Sequence, residues 1–155
     1  MRMLKWLWLS LFVFVADQVT KIIASSKLEM FQSVEVMPSL NFILAHNTGA
    51  AFSFLSDAGG WQRWFFSILA AVVSVFIVFW VKKLKPHEKP EAIALSLILG
   101  GAVGNLIDRL RLGHVVDFID VYIGSSHWPA FNIADSAIMV GAILLVVLSF
   151  RSHKQ

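Results

Sequence analysis

A bilayer core about 30 Å thick is crossed by roughly 20 mostly apolar residues in a helix. Four stretches of this chain reach that length, at about residues 6–24, 62–81, 92–110 and 133–150. The clearest runs from Trp64 to Val81 and carries no charge. The others are apolar but interrupted: Asp17 and Lys21 in the first, Asn105, Asp108 and Arg109 in the third, Asp135 in the fourth. Between them lie two polar segments, about 25–61 and 111–132, and a short connector, 82–91, with Pro86 and Pro90. In the first segment Val34 and Val36, then Leu40, Phe42 and Leu44, alternate with other residues, which predicts short strands. Pro38 interrupts the alternation, so a small two-part or edge sheet is expected rather than one long hairpin. Phe52, Phe54 and Leu55 before Asp57-Ala58-Gly59-Gly60 predict a short interfacial helix and turn. The pattern describes one α-helical integral membrane domain over residues 1–155 with a small sheet outside the bilayer.

Composition strengthens this picture. Hydrophobic residues make up 57% of the chain and charged residues 15%, with a mean hydropathy of +0.72. Soluble domains run near 45–50% and 25%, and disorder needs low hydrophobicity. Cysteine is absent, which excludes disulfides, thiolate metal sites and a cysteine nucleophile. The net charge of +3 turns out to be a topology signal. Arg2, Lys5, Lys82, Lys83, Lys85, Lys89, Arg151 and Lys154 fall on one side if the helices alternate. Lys27, Arg63 and Arg111 fall on the other. The excess predicts cytoplasmic termini. Trp6, Trp8 and Trp80 mark that boundary, and Trp61, Trp64 and Trp128 the outer one. Basic residues so distributed offer no surface for nucleic acid. Asp17 and Lys21 also argue against reading the first span as a cleavable leader, whose core carries no charge.

A charge at mid-membrane costs about 2.5–3.5 kcal/mol on insertion scales, so each one needs a reason. Asp17 and Lys21 are four apart and can pair across one helical turn. Asp17 lies roughly 17 Å along the first span at 1.5 Å per residue, just past the midplane toward the outer face. Asn105 and Arg109 share a face near the outer end of the third span, with Asp108 beside them. Asn132 and Asp135 are three apart at the outer start of the fourth. Three helices thus bring polar groups to one depth. Each group alone has a plainer explanation: an anchoring ion pair, a helix-to-helix hydrogen bond, an interfacial Asp108–Arg109 pair. Asp135 resists such an explanation, because no basic residue lies within a turn of it.

Carboxylates are the reactive groups in supply. Val115-Val116-Asp117-Phe118-Ile119-Asp120 places two acids in an apolar setting before the fourth span, with Asp135 one loop later. Two carboxyl groups held close in a low dielectric cannot both ionise, and share a proton. One acid and one base result, which suits activation of water against an amide. Whether Asp117 or Asp120 would join Asp135 is open at this level. Other hydrolytic schemes fit less well. His87-Glu88 lacks the second histidine of a zinc-protease helix, and no Gly-x-Ser-x-Gly elbow is present. His46, His114 and His127 show no ligand spacing and are expected at the interface or exposed, so no metal is expected. A serine–lysine pair would have to use Lys21 or Lys27, and no serine is singled out.

Five ordered motifs carry a resemblance. They are Asp17-Gln18-Val19-Thr20-Lys21, Asn47-Thr48-Gly49-Ala50-Ala51-Phe52, Gly100 to Arg109 (with Gly101 in its small-residue start), Val115-Val116-Asp117-Phe118, and Phe131-Asn132-Ile133-Ala134-Asp135. Together they resemble the bacterial lipoprotein signal peptidases (signal peptidase II), over essentially the whole chain. The resemblance implies an aspartyl endopeptidase of the cytoplasmic membrane that cuts prolipoproteins before a diacylglyceryl-modified cysteine. It implies Asp117 and Asp135 as the catalytic pair, with Asp17, Lys21, Asn47, Gly101, Asn105, Arg109 and Asn132 in support. It also implies a small outer sheet cradle, a mobile interfacial helix and no metal or organic cofactor. Diacylglyceryl-prolipoproteins and membrane lipids are the expected partners, and a monomer the expected state. Two other classes compete on the residues alone. A small proton or ion carrier would use Asp17, Lys21 and Asp135, but needs a polar path to both faces. A structural subunit would use the polar layer only to hold helices together.

Overall fold

The computed structural model describes residues 3–49 and 60–152. Among these residues four helices are long and apolar enough to cross a membrane. A 3-10 turn at Leu4–Trp6 leads into α1, Leu7–Lys27; the others are α2, Trp61–Lys83, α3, Lys89–Leu112, and α4, Ile133–Ser152. Each extends beyond the apolar run by the polar residues at its ends, because backbone hydrogen bonding continues after hydrophobicity stops. Pro90 sits in the first turn of α3, where its missing N–H costs nothing. Gly113 ends that helix in the left-handed region, at φ 85°.

α3 is the central helix. Over half of its apolar window is buried, against 28% for α1 and 17% for α2 and α4. Leu11, Phe12, Ile68, Val72, Val140 and Ile143 face outward and are exposed. In hydrocarbon such faces carry no penalty, so cohesion comes from close packing rather than apolar burial. Small residues make that packing close. A Cβ on Gly141 of α4 would stand 2.6 Å from the Ala94 carbonyl oxygen of α3, and one on Gly101 of α3 would overlap the Ala134 carbonyl of α4. At the end away from the sheet, Met3, Ile77, Val81, Ala92, Leu95 and Leu99 pack into an apolar cluster.

The sheet is larger than the sequence pattern suggests. β1, Val34–Met37, and β2, Leu40–Asn47, form a hairpin across Pro38 and Ser39. Pro38 supplies its fixed φ and Ser39 takes φ 70°, so the proline makes the turn rather than preventing it. β3, Val115–Ile123, pairs antiparallel with β2, and β4, Ser126–His127, completes the order β1-β2-β3-β4. The β3 strand does not stand out by alternation because its first four residues are all buried. The short helix expected around Phe52–Gly60 falls largely outside the described residues.

The seam between α3 and α4 gives a direct test. Gly141→Leu should overpack it and lower stability by about 1–3 kcal/mol, read as a drop in Tm in detergent. Val140→Leu, on the outward face, should leave Tm unchanged. Equal Tm for both would contradict the seam.

Candidate active site

The site begins with a lysine that has nowhere else to go. Lys21 is 3% exposed and Asp17 wholly buried. As their spacing predicts, they pair, at 2.8 Å. A second carboxylate, Asp108 of α3, lies equally close to Lys21, at 2.8 Å. Asp108 therefore pairs between helices with Lys21 and not with its neighbour Arg109. The third Lys21 contact is a 2.9 Å hydrogen bond to Asn105 Oδ1. All three ammonium hydrogens are thus committed, and no serine is among the partners. This removes the serine–lysine scheme at Lys21.

From this cation the network runs toward α4. Asn105 Nδ2 donates to Asp135 Oδ1 at 2.8 Å. Asp17 Oδ1 accepts the backbone N–H of Ala134 at 3.0 Å, so α1 holds the first turn of α4. Gly104 permits the approach, since a Cβ there would meet Asp17 Oδ2 at 2.5 Å. Asn132 caps α4: its Oδ1 accepts the Asp135 N–H at 2.9 Å, while Asp135 Oδ2 accepts the Asn132 N–H at 3.3 Å. This reciprocal pair is a capping box, with Asp135 as its acid.

Asn132 also reaches β3. Its Nδ2 donates to Asp117 Oδ1 at 2.7 Å, and Asn47 of β2 donates to Asp117 Oδ2 at 3.0 Å. One asparagine therefore touches both candidate acids. Burial, reinforced by the nearby Asp135 carboxylate, pushes Asp117 up to about 7, against the two asparagine hydrogen bonds. Asp120 lies three residues along the same strand and so faces the other way. It is held by Asn41, at 3.0 Å, and by His127 Nδ1, 2.9 Å from both its oxygens. Strand parity thus puts Asp117, and not Asp120, beside Asn132.

Arg109 closes the group. It donates to the Gly49 carbonyl at 2.9 Å, and Gly49 in turn donates to Asn47 Oδ1 at 3.0 Å. Its guanidinium lies over Phe66, 5.6 Å from the ring centroid. Asp17, Lys21, Asn47, Asn105, Arg109, Asn132, Asp117 and Asp135 are thus linked in one constellation. Gly101 is not part of it; it packs beneath, against α4. A cavity of about 300 Å³ opens onto the constellation, with Asn47, Asn105, Arg109 and Asp135 on one side and Phe66, Leu69 and Val73 of α2 on the other.

Two contributors were not singled out by the sequence. Gln18 Nε2 donates to Asp108 Oδ1 at 2.9 Å and to Asp17 Oδ2 at 3.3 Å. Arg63 of α2 reaches across to the end of α3, donating to the Arg109 carbonyl at 2.7 Å and the Leu110 carbonyl at 3.0 Å. Its position adjoining a helix C-terminus suits its charge, but only the fold brings the two together. His46 and His114 stack at 3.8 Å between ring centroids. Burial lowers the pKa of both. Among the described residues no group of three or more potential metal ligands converges.

Comparison with known proteins places the chain in a family. Residues 9–151 match the family described as signal peptidase (SPase) II. A lipoprotein signal peptidase of Pseudomonas aeruginosa strain PAO1 is 56% identical over 153 residues, covering 97% of this chain and 90% of that protein. One from Acinetobacter baumannii is 57% identical over 150 residues, covering 97% and 85%. A bacterial membrane enzyme solved by the in meso method at 2.3 Å superposes with a TM-score of 0.86 at 36% identity, covering 96% of this chain and 89% of that one.

The network predicts a large effect at its centre. Lys21→Met leaves Asp17 and Asp108 buried without a counter-charge, and should destabilise the protein by about 3–5 kcal/mol. Thermal unfolding in detergent reads the loss. A Tm within a degree or two of wild type would show that the carboxylates do not depend on the lysine.

Proposed function

This chain belongs to the signal peptidase (SPase) II family, and on that premise we propose that it cleaves diacylglyceryl-modified prolipoproteins just before the lipidated cysteine, with Asp117 and Asp135 as the catalytic pair. The single observation that carries the reading is Asn132, which hydrogen-bonds both carboxylates, of which Asp135 lines the cavity.

On this reading Asp117, pushed up to about 7, holds the shared proton. Asp135 receives hydrogen bonds from Asn105 Nδ2 and the Asn132 N–H, donors suited to an anion. Asp135 then takes a proton from water as the water attacks the scissile carbonyl, and Asp117 protonates the carbonyl oxygen. As the C–N bond breaks, the proton on Asp135 passes to the departing amine and Asp117 takes back the hydroxyl proton as the carbonyl re-forms, which returns the pair to its starting state. Arg109 and Asn47 orient the substrate backbone in the cavity. Asp17 and Lys21 act at one remove, by fixing α4 and Asn105. Every group comes from one chain, so a monomer suffices.

The positive-inside distribution supports cytoplasmic termini and a site toward the outer face. That depth suits a substrate whose lipid anchor stays in the bilayer while its scissile bond sits near the headgroups. The carrier alternative lacks a path: among the described residues the far half of the helices is closed by the Met3, Ile77, Val81 and Leu95 cluster.

Purified protein given a diacylglyceryl-modified prolipoprotein should cleave it. Asp117→Asn and Asp135→Asn should each abolish cleavage while keeping the wild-type Tm. Full activity in either variant would sink the pair. The pH profile gives a second check. Asp117 keeps its proton below about 7 and loses it above, so kcat/KM should fall as pH rises through that region. A flat profile from pH 6 to 9 would contradict the shared proton.

A further inference from the structure

α2 meets α3 toward its two ends and stands off between them. Away from the sheet, Ile77 and Val81 of α2 pack with Ala92 and Leu95 of α3. Toward the sheet comes the cavity of about 300 Å³, with Phe66, Leu69 and Val73 of α2 on one side and Ala102, Asn105 and Arg109 of α3 on the other. Only 17% of the apolar window of α2 is buried, and hydrocarbon supplies no apolar force to press the helix inward. The width of the cavity therefore depends on what holds the outer end of α2.

Arg63, in the first turn of α2, supplies such a hold. Its Nε donates to the Arg109 carbonyl at 2.7 Å and its Nη2 to the Leu110 carbonyl at 3.0 Å. The last carbonyls of a helix are short of partners within it, and a cation there complements the dipole. The Gly113 N–H also reaches the Arg109 carbonyl, at 3.2 Å, so Arg63 adds a donor from another helix. The Arg63 guanidinium lies 5.0 Å from the Trp64 ring centroid, which backs the fork. Phe66, three residues on, shares this face of α2 and puts its ring 5.6 Å from the Arg109 guanidinium. One turn of α2 thus holds Arg109 twice, by its backbone and by its side chain.

We propose that Arg63 is a positioning residue that pins the outer end of α2 to α3 and thereby sets the width of the cavity. Its consequence for substrate rests on the peptidase reading; the pin itself does not. A wider cavity loosens the grip on substrate but leaves the acids, joined through Asn132 on α4 and β3, in place. Loss of Arg63 therefore weakens binding and spares the chemical step.

The chain has no cysteine, so Ile68→Cys and Leu112→Cys, both at exposed positions, can carry spin labels on the outer ends of α2 and α3. Double electron–electron resonance in nanodiscs should give one narrow distance, and Arg63→Gln should lengthen and broaden it. Arg111→Gln, which removes an exposed charge at the same end of α3, should not. With a diacylglyceryl-modified prolipoprotein, Arg63→Gln should raise KM about tenfold and keep kcat within about twofold of wild type. Arg63→Lys keeps the charge but not the planar fork that spans two carbonyls, and should fall between the two in distance and in KM. An unchanged distance in Arg63→Gln would overturn the pin, whether or not the protein cleaves. A fall in kcat at constant KM, an equal effect of Arg111→Gln, or wild-type behaviour of Arg63→Lys would overturn the positioning role. Absence of cleavage by the wild type would count against the peptidase reading and leave the distance to decide the pin.

Discussion

Lys21 puts one ammonium group within 2.8 Å of two carboxylates in a part of the molecule from which water is excluded. Burying any one of the three charges alone would cost several kcal/mol. Together with the Asn105 carbonyl they satisfy one another, and they come from two different helices. The Gln18 amide bridges the two carboxylates from the other side. The pairing thereby sets the rotation of α1 against α3. Since Asp17 also accepts an N–H from the first turn of α4, it sets the position of α4 as well. A layer of polar groups that the bilayer should reject becomes the element that aligns three of the four helices.

The two acids inherit their difference from where they are mounted. Asp135 stands in the first turn of α4, where unpaired N–H groups and the helix dipole favour negative charge. Asp117 stands on β3, a strand with no comparable field, buried between two asparagines. The cap of α4 connects them, because Asn132 serves the helix with its carbonyl oxygen and the strand with its amide nitrogen. A capping residue, ordinarily a local matter of helix stability, here fixes the relation of a helix to a sheet.

The sequence was informative where the rules of the bilayer are strict. Apolar length gave the four helices, and i, i+4 spacing gave the Asp17–Lys21 pair. The polar layer followed from the cost of charge in hydrocarbon. It was silent where an answer needed two segments distant in the chain. β3 escaped notice because its opening residues are buried on both faces, so no alternation marks it. Asp117 and Asp120 are equivalent by composition and separate only once strand parity sends one toward Asn132 and the other toward Asn41. Arg63 looked like an exception to the basic-residue count; its partners are backbone carbonyls on α3, which no side-chain pattern can announce.

The cavity follows the same physical logic. A peptide drawn out of helical form near the membrane exposes N–H and C=O groups that lipid cannot satisfy. Such backbone is tolerated only where protein supplies partners. The cavity is apolar on the α2 side, through Phe66, Leu69 and Val73, and polar on the other, through Asn47, Asn105 and Arg109. On the peptidase reading this asymmetry matches the substrate, whose side chains are apolar and whose unwound backbone is not. Donors alone would favour an oxyanion, and the carbonyls of Asn47 and Gly49 add acceptors nearby, although both already receive hydrogen bonds in this structure. Substrate entering the cavity must therefore exchange partners with the β2 end and Arg109 rather than meet a rigid surface. Arg63 holds the Arg109 backbone through its carbonyl, so the exchange falls on the guanidinium, which bonds the Gly49 carbonyl, and not on the end of α3.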